Sequence, residues 1–228
     1  MKLNTKFNYP KSIRAYYNGQ RLYDIGNEKL PSVTTILSAT ESEEKKASLE
    51  RWKNRVGRKE ADLISRQSLS RGSAMHDFLE KFILNQLNLD LLGDNSLEKQ
   101  MADQIIENGL RNDLSEVYGV EATLYYPGKY AGAADLLGVY MGKETILDFK
   151  TGNKPRRDEW NDEYYLQLGA YSLAHDKVYG TNIKQGVILL CTKDLMFQRF
   201  IVDSERLKDC QKRFLEKVEQ YYSMKLNS

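Results

Sequence analysis

Hydrophobic and polar positions in the first half of the chain recur mainly at helical spacing. A polar, helix-favouring stretch over 43–67 is predicted to end at the Ser-Arg-Gly-Ser sequence of 70–73. A second helix is predicted over 74–87. A third, over 96–112, places Leu97, Met101, Ile105 and Leu110 near one stripe.

After residue 116 the hydrophobic positions alternate with a period of two, which predicts strands. The pattern indicates a three-stranded meander that ends near residue 152, and further elements follow it. These are a helix at about 159–178, strands near 185–191 and 196–202, and a closing helix at about 204–224. Residues 12–25 are predicted to form a separate hairpin that turns at Asn18-Gly19. The order of elements predicts a mixed α/β fold with a helical N-terminal elaboration.

Length and composition favour one domain over 1–228, with the N-terminal elaboration over about 1–115 and the core over about 116–228. The chain has 228 residues, 41% of them hydrophobic, enough for a sizeable core. The formal net charge of +2 gives no global basicity, so any nucleic-acid site must be a local patch.

The chain contains two cysteines, Cys191 and Cys210, which excludes a four-cysteine zinc or iron–sulfur site within it. Unpaired thiols fit a reducing compartment. The first residues carry no apolar run typical of a secretory signal, and no segment is apolar and long enough to span a membrane. We therefore expect a soluble, cytoplasmic protein of a bacterial or phage-infected cell, with no membrane partner.

Three charged residues interrupt two strands that otherwise look buried. Asp148 and Lys150 share one strand face, and a turn through Gly142 brings Asp135 opposite them on the neighbouring strand. Buried charges are costly unless they are paired or hold a metal. Two carboxylates suit Mg²⁺ or Mn²⁺ shared with a substrate phosphate, and Lys150 is placed to neutralise charge on that phosphate. A bare Asp-x-Lys sequence is more often a structural ion pair.

The wider sequence context resembles the PD-(D/E)XK nuclease superfamily in its RecB-like exonuclease branch. The pattern runs from Gly132-Ala133-Ala134-Asp135 through Ile146-Leu147-Asp148-Phe149-Lys150-Thr151-Gly152 to Gln167-Leu168-Gly169-Ala170-Tyr171. Upstream, Arg71-Gly72 precedes His76 in an R-G-x-x-x-H arrangement. The segment LPSVTTIL and the Trp52, Arg55 and Gly57 spacing resemble mitochondrial genome maintenance exonucleases and their phage and bacterial relatives.

The resemblance implies a restriction-endonuclease-like mixed sheet flanked by helices, and it implies roles for particular residues. The implied metal ligands are His76, Asp135, Asp148 and the backbone carbonyl of Phe149, for one or two Mg²⁺ or Mn²⁺ ions. Lys150 is the implied catalytic lysine, and the side chains that flank the site are Gln167 and Tyr171.

Three further residues are weighed beside this set. Glu121 is expected either to bind a second metal ion or hold Lys150, or to form a strand-edge salt bridge. Glu80 lies one turn after His76 and either orients its imidazole or is solvated. His175 is expected at the surface.

Basic residues beside the site are candidates for phosphate contact, and Trp52 among them is a candidate to stack on a base. One group lies in the helix-prone stretch, another follows the catalytic strand, and one belongs to the R-G-x-x-x-H motif: Arg51, Trp52, Lys53, Arg55, Lys154, Arg156, Arg157 and Arg71. The alternative for a charge run is a solvated helix face.

These features predict a metal-dependent exonuclease that acts on single-stranded DNA or DNA ends in replication, repair or recombination. The helical N-terminal segment is expected to form a wall or arch over the site. Alternatives are a double-strand-specific 5′ exonuclease of phage recombination and a catalytically inactive DNA-binding module. A nuclease of the CRISPR adaptation type usually has four cysteines and is disfavoured. Polarity, DNA against RNA preference, oligomeric state and protein partners stay open.

Overall fold

A computed structural model describes residues 1–17, 20–85 and 95–226. Its strands are β1 Lys2–Leu3, β2 Ile13–Tyr17, β3 Gln20–Ile25, β4 Glu28–Pro31, β5 Leu114–Tyr126, β6 Tyr130–Tyr140, β7 Lys143–Gly152, β8 Gln185–Thr192 and β9 Phe197–Val202. Its α-helices are α1 Val33–Ala39, α2 Glu43–Val56, α3 Arg58–Ile83, α4 Leu97–Ile105, α5 Asp162–Tyr179 and α6 Ser204–Leu226.

A six-stranded sheet in the order β1-β5-β6-β7-β8-β9 forms the centre of the fold. Strands β5, β6 and β7 form the predicted antiparallel meander, whereas β7 and β8 run parallel. A parallel pair needs a crossover, and α5 supplies it. The predicted mixed α/β class, with a central sheet flanked by helices, is confirmed.

Helices cover both faces of this sheet, so the central strands are buried on both sides. On one face, Leu147 and Phe149 of β7 pack with residues of α3 and α4, among them Met75 and Met101. On the other face, Ile146 packs in a second cluster with residues of α5 and α6. The alternation in β7 therefore joins two hydrophobic layers through one strand.

The small sheet β2-β3-β4 contains the predicted hairpin, in which Ile13 pairs with Asp24. The predicted turn at Asn18-Gly19 lies outside the described residues. Tyr23 and Leu30 pack this sheet against Ala131 of β6, so it lies against the central sheet.

Two of the predicted helical segments begin at a serine that caps the helix. The Ser42 hydroxyl accepts a hydrogen bond from the Lys45 N–H at the start of α2, and Ser96 does the same for Lys99 at the start of α4. The predicted stripe of the third helix is confirmed, since Met101, Ile105 and Leu110 are buried. Leu110 lies at the end of a π-helical turn, Ile106–Leu110, that follows α4.

Two expectations are wrong. The helix break predicted at 70–73 is absent, because α3 runs without interruption from Arg58 to Ile83. The break lies instead at Gly57, whose φ of +90° is accessible to glycine. Gly72 is tolerated inside α3, where packing of the helix outweighs a cost of ~1 kcal/mol.

His175 was expected at the surface but is fully buried. Its Nδ1 lies 2.7 Å from the Thr181 hydroxyl, which donates its own hydrogen to Asp176. The imidazole must therefore donate from Nδ1 and accept from the Tyr9 hydroxyl at Nε2. Burial lowers the pKa of His175 to about 4, which keeps this ring neutral.

Two helical glycines are expected to respond oppositely to alanine. A Cβ at Gly72 of α3 would lie 3.7 Å from Thr151 Oγ1, an ordinary contact. At Gly169 of α5 a Cβ would lie 2.8 Å from the backbone carbon of Cys210 in α6. We predict that Gly72→Ala raises the free energy of unfolding by ~0.5–1 kcal/mol, whereas Gly169→Ala lowers it by ~1–3 kcal/mol. Urea unfolding measures both, and a loss of stability in Gly72→Ala would contradict the account of α3.

Candidate metal and active site

Strands β6 and β7 separate at the end of their shared ladder. The described pairing runs from Tyr140–Lys143 to Leu136–Leu147. Beyond this pair, the Asp135 carboxylate accepts a hydrogen bond from the Phe149 backbone N–H at 2.7 Å. A side chain of β6 thus takes the place of a backbone partner for β7. Pairing between β6 and β7 therefore ends beside Asp135 and Asp148, the two acidic residues of the predicted site.

Strand β5 is distorted at the same level, at Glu121. The β5–β6 ladder contains Val120–Leu136 and Ala122–Ala134, and Glu121 lies between them with a φ of +47°. A residue with a Cβ rarely adopts this left-handed conformation inside a strand, and it costs of order 1–3 kcal/mol. Such strain is typical of functional positions.

His76 of α3 brings a nitrogen ligand to these two carboxylates. Its Nδ1 lies 3.7 Å from Asp135 Oδ1 and 3.9 Å from Glu121 Oε1. On its other side, Nε2 lies 2.9 Å from the Phe149 carbonyl oxygen. One ligand atom from each of His76, Glu121 and Asp135 falls within 4.8 Å of the others. The three residues come from separate elements, and they form a group that fits a divalent cation.

The electrostatics of the group point the same way. Burial opposes protonation of His76, but Asp135, Glu121 and Asp148 together raise its pKa to about 9. Burial, and then repulsion from Asp148, raise the pKa of Asp135 to about 7. The carboxylates therefore carry more negative charge than nearby cations neutralise, and a bound divalent ion would relieve this.

Asp148 and Lys150 form an ion pair beside the His76–Glu121–Asp135 group. Asp148 is buried and contacts the Lys150 ammonium, so it stands outside the three-residue group. Burial disfavours a charged Lys150, yet Asp148 and Asp135 outweigh that effect and raise its pKa. Lys150 therefore stays protonated in this environment.

The predicted flanking residues hold Lys150 from α5. The Lys150 ammonium donates to Gln167 Oε1 at 3.2 Å, and the Gln167 amide donates to the Tyr171 hydroxyl at 3.0 Å. Gly132 of β6 makes room for this tyrosine, because a Cβ there would lie 2.7 Å from the Tyr171 ring. The first glycine of the G-x-x-D pattern thus has a packing reason.

Tyr164 is a site residue that the sequence reasoning missed. Its ring centroid lies 5.0 Å from the Lys150 ammonium and 4.9 Å from the Arg156 guanidinium. The signal was available, since Tyr164 precedes Gln167 by three residues and therefore shares its helical face.

An open cleft of about 670 Å³ lies over these residues. Helix α3 forms one wall of it, from Ser68 to Glu80, and Glu121, Lys150 and Tyr164 lie on other sides. Burial and the nearby Glu121 raise the pKa of Glu80. No described hydrogen bond joins Glu80 to His76, so its predicted orienting role stays a prediction.

The predicted basic residues are dispersed. Arg71 donates to the Asn153 side chain at 2.8 Å, which ties α3 to the loop after β7. Arg156 donates to Asn161, and Arg157 lies over the Trp160 ring. Lys154 is exposed. The predicted contact group of α2 comprises Arg51, Trp52, Lys53 and Arg55, and none of these is among the described residues that line the cleft.

Comparison with known proteins gives sequence relatives but no matching family model. The chain is 26% identical over 207 residues to human mitochondrial genome maintenance exonuclease 1, and 28% identical over 212 residues to the mouse protein. Each alignment covers 87% of this chain and 60% of the relative. The resemblance to PD-(D/E)XK exonucleases is confirmed. The chain spans about 60% of the length of these curated relatives.

Solved structures are similar only at a low level. A provisionally assigned exonuclease from Eubacterium rectale has a TM-score of 0.41 and 14% identity, over 67% of this chain and 68% of that one. An alkaline exonuclease from Laribacter hongkongensis has a TM-score of 0.30 and 12% identity, over 62% and 76%. The fold assignment therefore rests on the topology of this chain.

Removing the side chain of Glu121 should reveal the strain at that position. We predict that Glu121→Gly is more stable than Glu121→Ala by ~1 kcal/mol, because glycine adopts the φ of +47° without a Cβ clash. At an ordinary strand position glycine is the less stable of the two. Both variants lack the carboxylate, so their difference in urea unfolding isolates the backbone. Lower stability of the glycine variant would show that Glu121 is unstrained.

Proposed function

We propose that the chain is a metal-dependent deoxyribonuclease that works as an exonuclease on single-stranded DNA or DNA ends. The observation that carries the proposal is the convergence of His76, Glu121 and Asp135 next to the buried Asp148–Lys150 pair. The similarity to proteins named mitochondrial genome maintenance exonuclease supports it.

In this proposal His76, Glu121 and Asp135 hold Mg²⁺ or Mn²⁺. Asp148 and the Phe149 carbonyl are the further ligands that the resemblance implies, for the same ion or for a second one. The donor set fits, because carboxylate and carbonyl oxygens suit hard cations and the site carries excess negative charge. When bound, the ion supplies Lewis acidity toward a phosphodiester and lowers the pKa of a water molecule.

The residues on β7 and α5 then set the position of the scissile group. Lys150 remains charged between Asp148 and Gln167, and its ammonium is available to a phosphate oxygen or to the attacking water. Gln167 and Tyr171 restrict where that ammonium points. Basic residues around the cleft, among them Arg71 and Lys154, would contact the remaining phosphates.

The wider setting is part of the same proposal. Replication, repair or recombination of DNA, including in phage-infected bacteria, suits an enzyme of this class. We further infer a cytoplasmic location, because both cysteines are free and buried, as expected in a reducing compartment. The described helices include none that is long and apolar enough to cross a membrane.

Substitution of Lys150 should abolish cleavage while the fold persists. We predict that Lys150→Ala and Asp135→Asn each lower the rate at least ~10²–10³-fold, because each removes a charge that acts on the reacting phosphate or the bound ion. Lys143→Ala is the matched control, since Lys143 lies on β7 at the opposite end. The assay follows labelled oligonucleotides with Mg²⁺ or Mn²⁺, and circular dichroism checks the fold.

The choice of substrate tests the finer part of the proposal. The wild-type chain is offered 5′- and 3′-labelled single strands, duplexes and closed single-stranded circles. We expect degradation of linear strands, and circles that stay intact. Efficient cutting of circles would contradict the exonuclease assignment, and near-normal cleavage by Lys150→Ala would contradict the site.

A further inference from the structure

We propose that Trp160 is a stacking platform for an unpaired nucleobase of the strand that enters or leaves the candidate active site. The inference rests on the proposed function and extends it to a second contact site, separate from the metal and lysine residues.

Trp160 is an exposed tryptophan held in a fixed place. It lies in the 3₁₀ turn Asp158–Asn161 that leads into α5, and 55% of its surface is exposed. The backbone N–H of Trp160 donates to the Arg157 carbonyl at 3.1 Å, and the backbone carbonyl of Trp160 accepts a hydrogen bond from the Arg156 guanidinium. A large apolar ring is thus presented to solvent on an anchored backbone, and it belongs to none of the hydrophobic clusters of the described residues.

A row of alternating cations and rings joins Trp160 to Lys150. Tyr164 lies near both Lys150 and Arg156, as described above. Arg156 contacts the backbone of Trp160, and the Arg157 guanidinium lies 5.4 Å from the Trp160 ring centroid. Interleaved aromatic and basic side chains are typical of surfaces that bind single-stranded nucleic acid.

The space around Trp160 and the catalytic cleft share a lining residue. A second cleft of about 520 Å³ is lined by Trp160, Arg156 and Tyr164, and Tyr164 also lines the first cleft. In this proposal a strand that leaves Lys150 past Tyr164 comes next to the cleft that Trp160 lines.

The charged side chains of the second cleft pair with one another, which disfavours phosphate binding beside Trp160. Asp162 forms a bidentate pair with Arg213, and Glu163 contacts Lys45. Because these charges neutralise one another, the cleft is a poor track for phosphates. The exposed feature is the indole of Trp160, which Arg157 covers only in part, and an indole suits the flat face of a base. Duplex DNA hides its base faces within the stack, so the platform fits an unpaired strand.

Tryptophan fluorescence tests this directly, since the chain has two tryptophans. The variant Trp52→Phe, combined with Lys150→Ala to prevent cleavage, leaves Trp160 as the only tryptophan. Oligo(dT) is titrated into this protein with excitation at 295 nm, and anisotropy of a labelled oligonucleotide measures binding independently. We expect saturable quenching with single-stranded oligo(dT) at the same midpoint as the anisotropy, and little quenching with a blunt duplex.

Substitutions at position 160 complete the test in the Lys150→Ala background. We expect Trp160→Ala to weaken binding of the single strand about 10-fold, Trp160→Phe to restore much of it, and duplex binding to change little. Tyr16→Ala is the control, because Tyr16 is an exposed aromatic residue outside both clefts.

The outcomes separate the platform from the proposed function. Binding by anisotropy without quenching, or equal affinity in Trp160→Ala, overturns the platform and leaves the nuclease proposal intact. If gel filtration without DNA shows that the protein self-associates, and the quenching tracks that self-association instead of DNA binding, the platform is also overturned. Absence of both cleavage by the wild type and DNA binding by any variant overturns the proposed function and the platform with it.

Discussion

Excess negative charge in a partly enclosed site is the constraint on which the rest of this structure depends. Glu121, Asp135 and Asp148 converge on the inner strands β5, β6 and β7 of the central sheet, opposed by Lys150 and His76. Burying carboxylates is costly unless they are paired, bonded or bound to a cation. The raised pKa of Asp135 expresses that cost, and the raised pKa of His76 reports the attraction of its imidazolium to the same carboxylates. An arrangement so unfavourable without a cation makes sense if binding one is its purpose.

The backbone is shaped to make this concentration of charge possible. β6 stops pairing with β7 so that Asp135 can accept the Phe149 N–H, and Glu121 holds a left-handed conformation in β5. Two hydrophobic layers, one on each side of β7, fix these distortions in place. The site therefore draws on the stability of the surrounding core, as strained functional positions commonly do.

Much of this was predictable from the sequence, because alternation and helical spacing report burial directly. The meander and the helix α5 followed from local patterns, and the candidate residues Asp135, Lys150, Gln167 and His76 followed from motifs, whereas the parallel pairing of β7 with β8 did not. Three-dimensional packing decided the rest. Gly72 was predicted to break the helix, yet α3 packs well enough to continue through it. The burial of His175 depends on Tyr9 and Thr181, which are partners that its helix alone does not reveal. The contact of Tyr164 with Lys150, by contrast, was predictable from the three-residue spacing that puts Tyr164 on the helical face of Gln167.

Direct measurement of Mn²⁺ binding tests the central claim most sharply. Calorimetric titration of the metal-free protein, supported by the loss of the free Mn²⁺ signal in electron paramagnetic resonance, reports the affinity without any substrate. The account predicts saturable binding that weakens at least ~10-fold in Asp135→Asn, as expected when a charged ligand is lost. Glu144→Gln, which alters a half-exposed acid paired with Lys6, should leave it unchanged. Equal Mn²⁺ affinity in Asp135→Asn and the wild type would contradict the assignment of this cluster as a metal site.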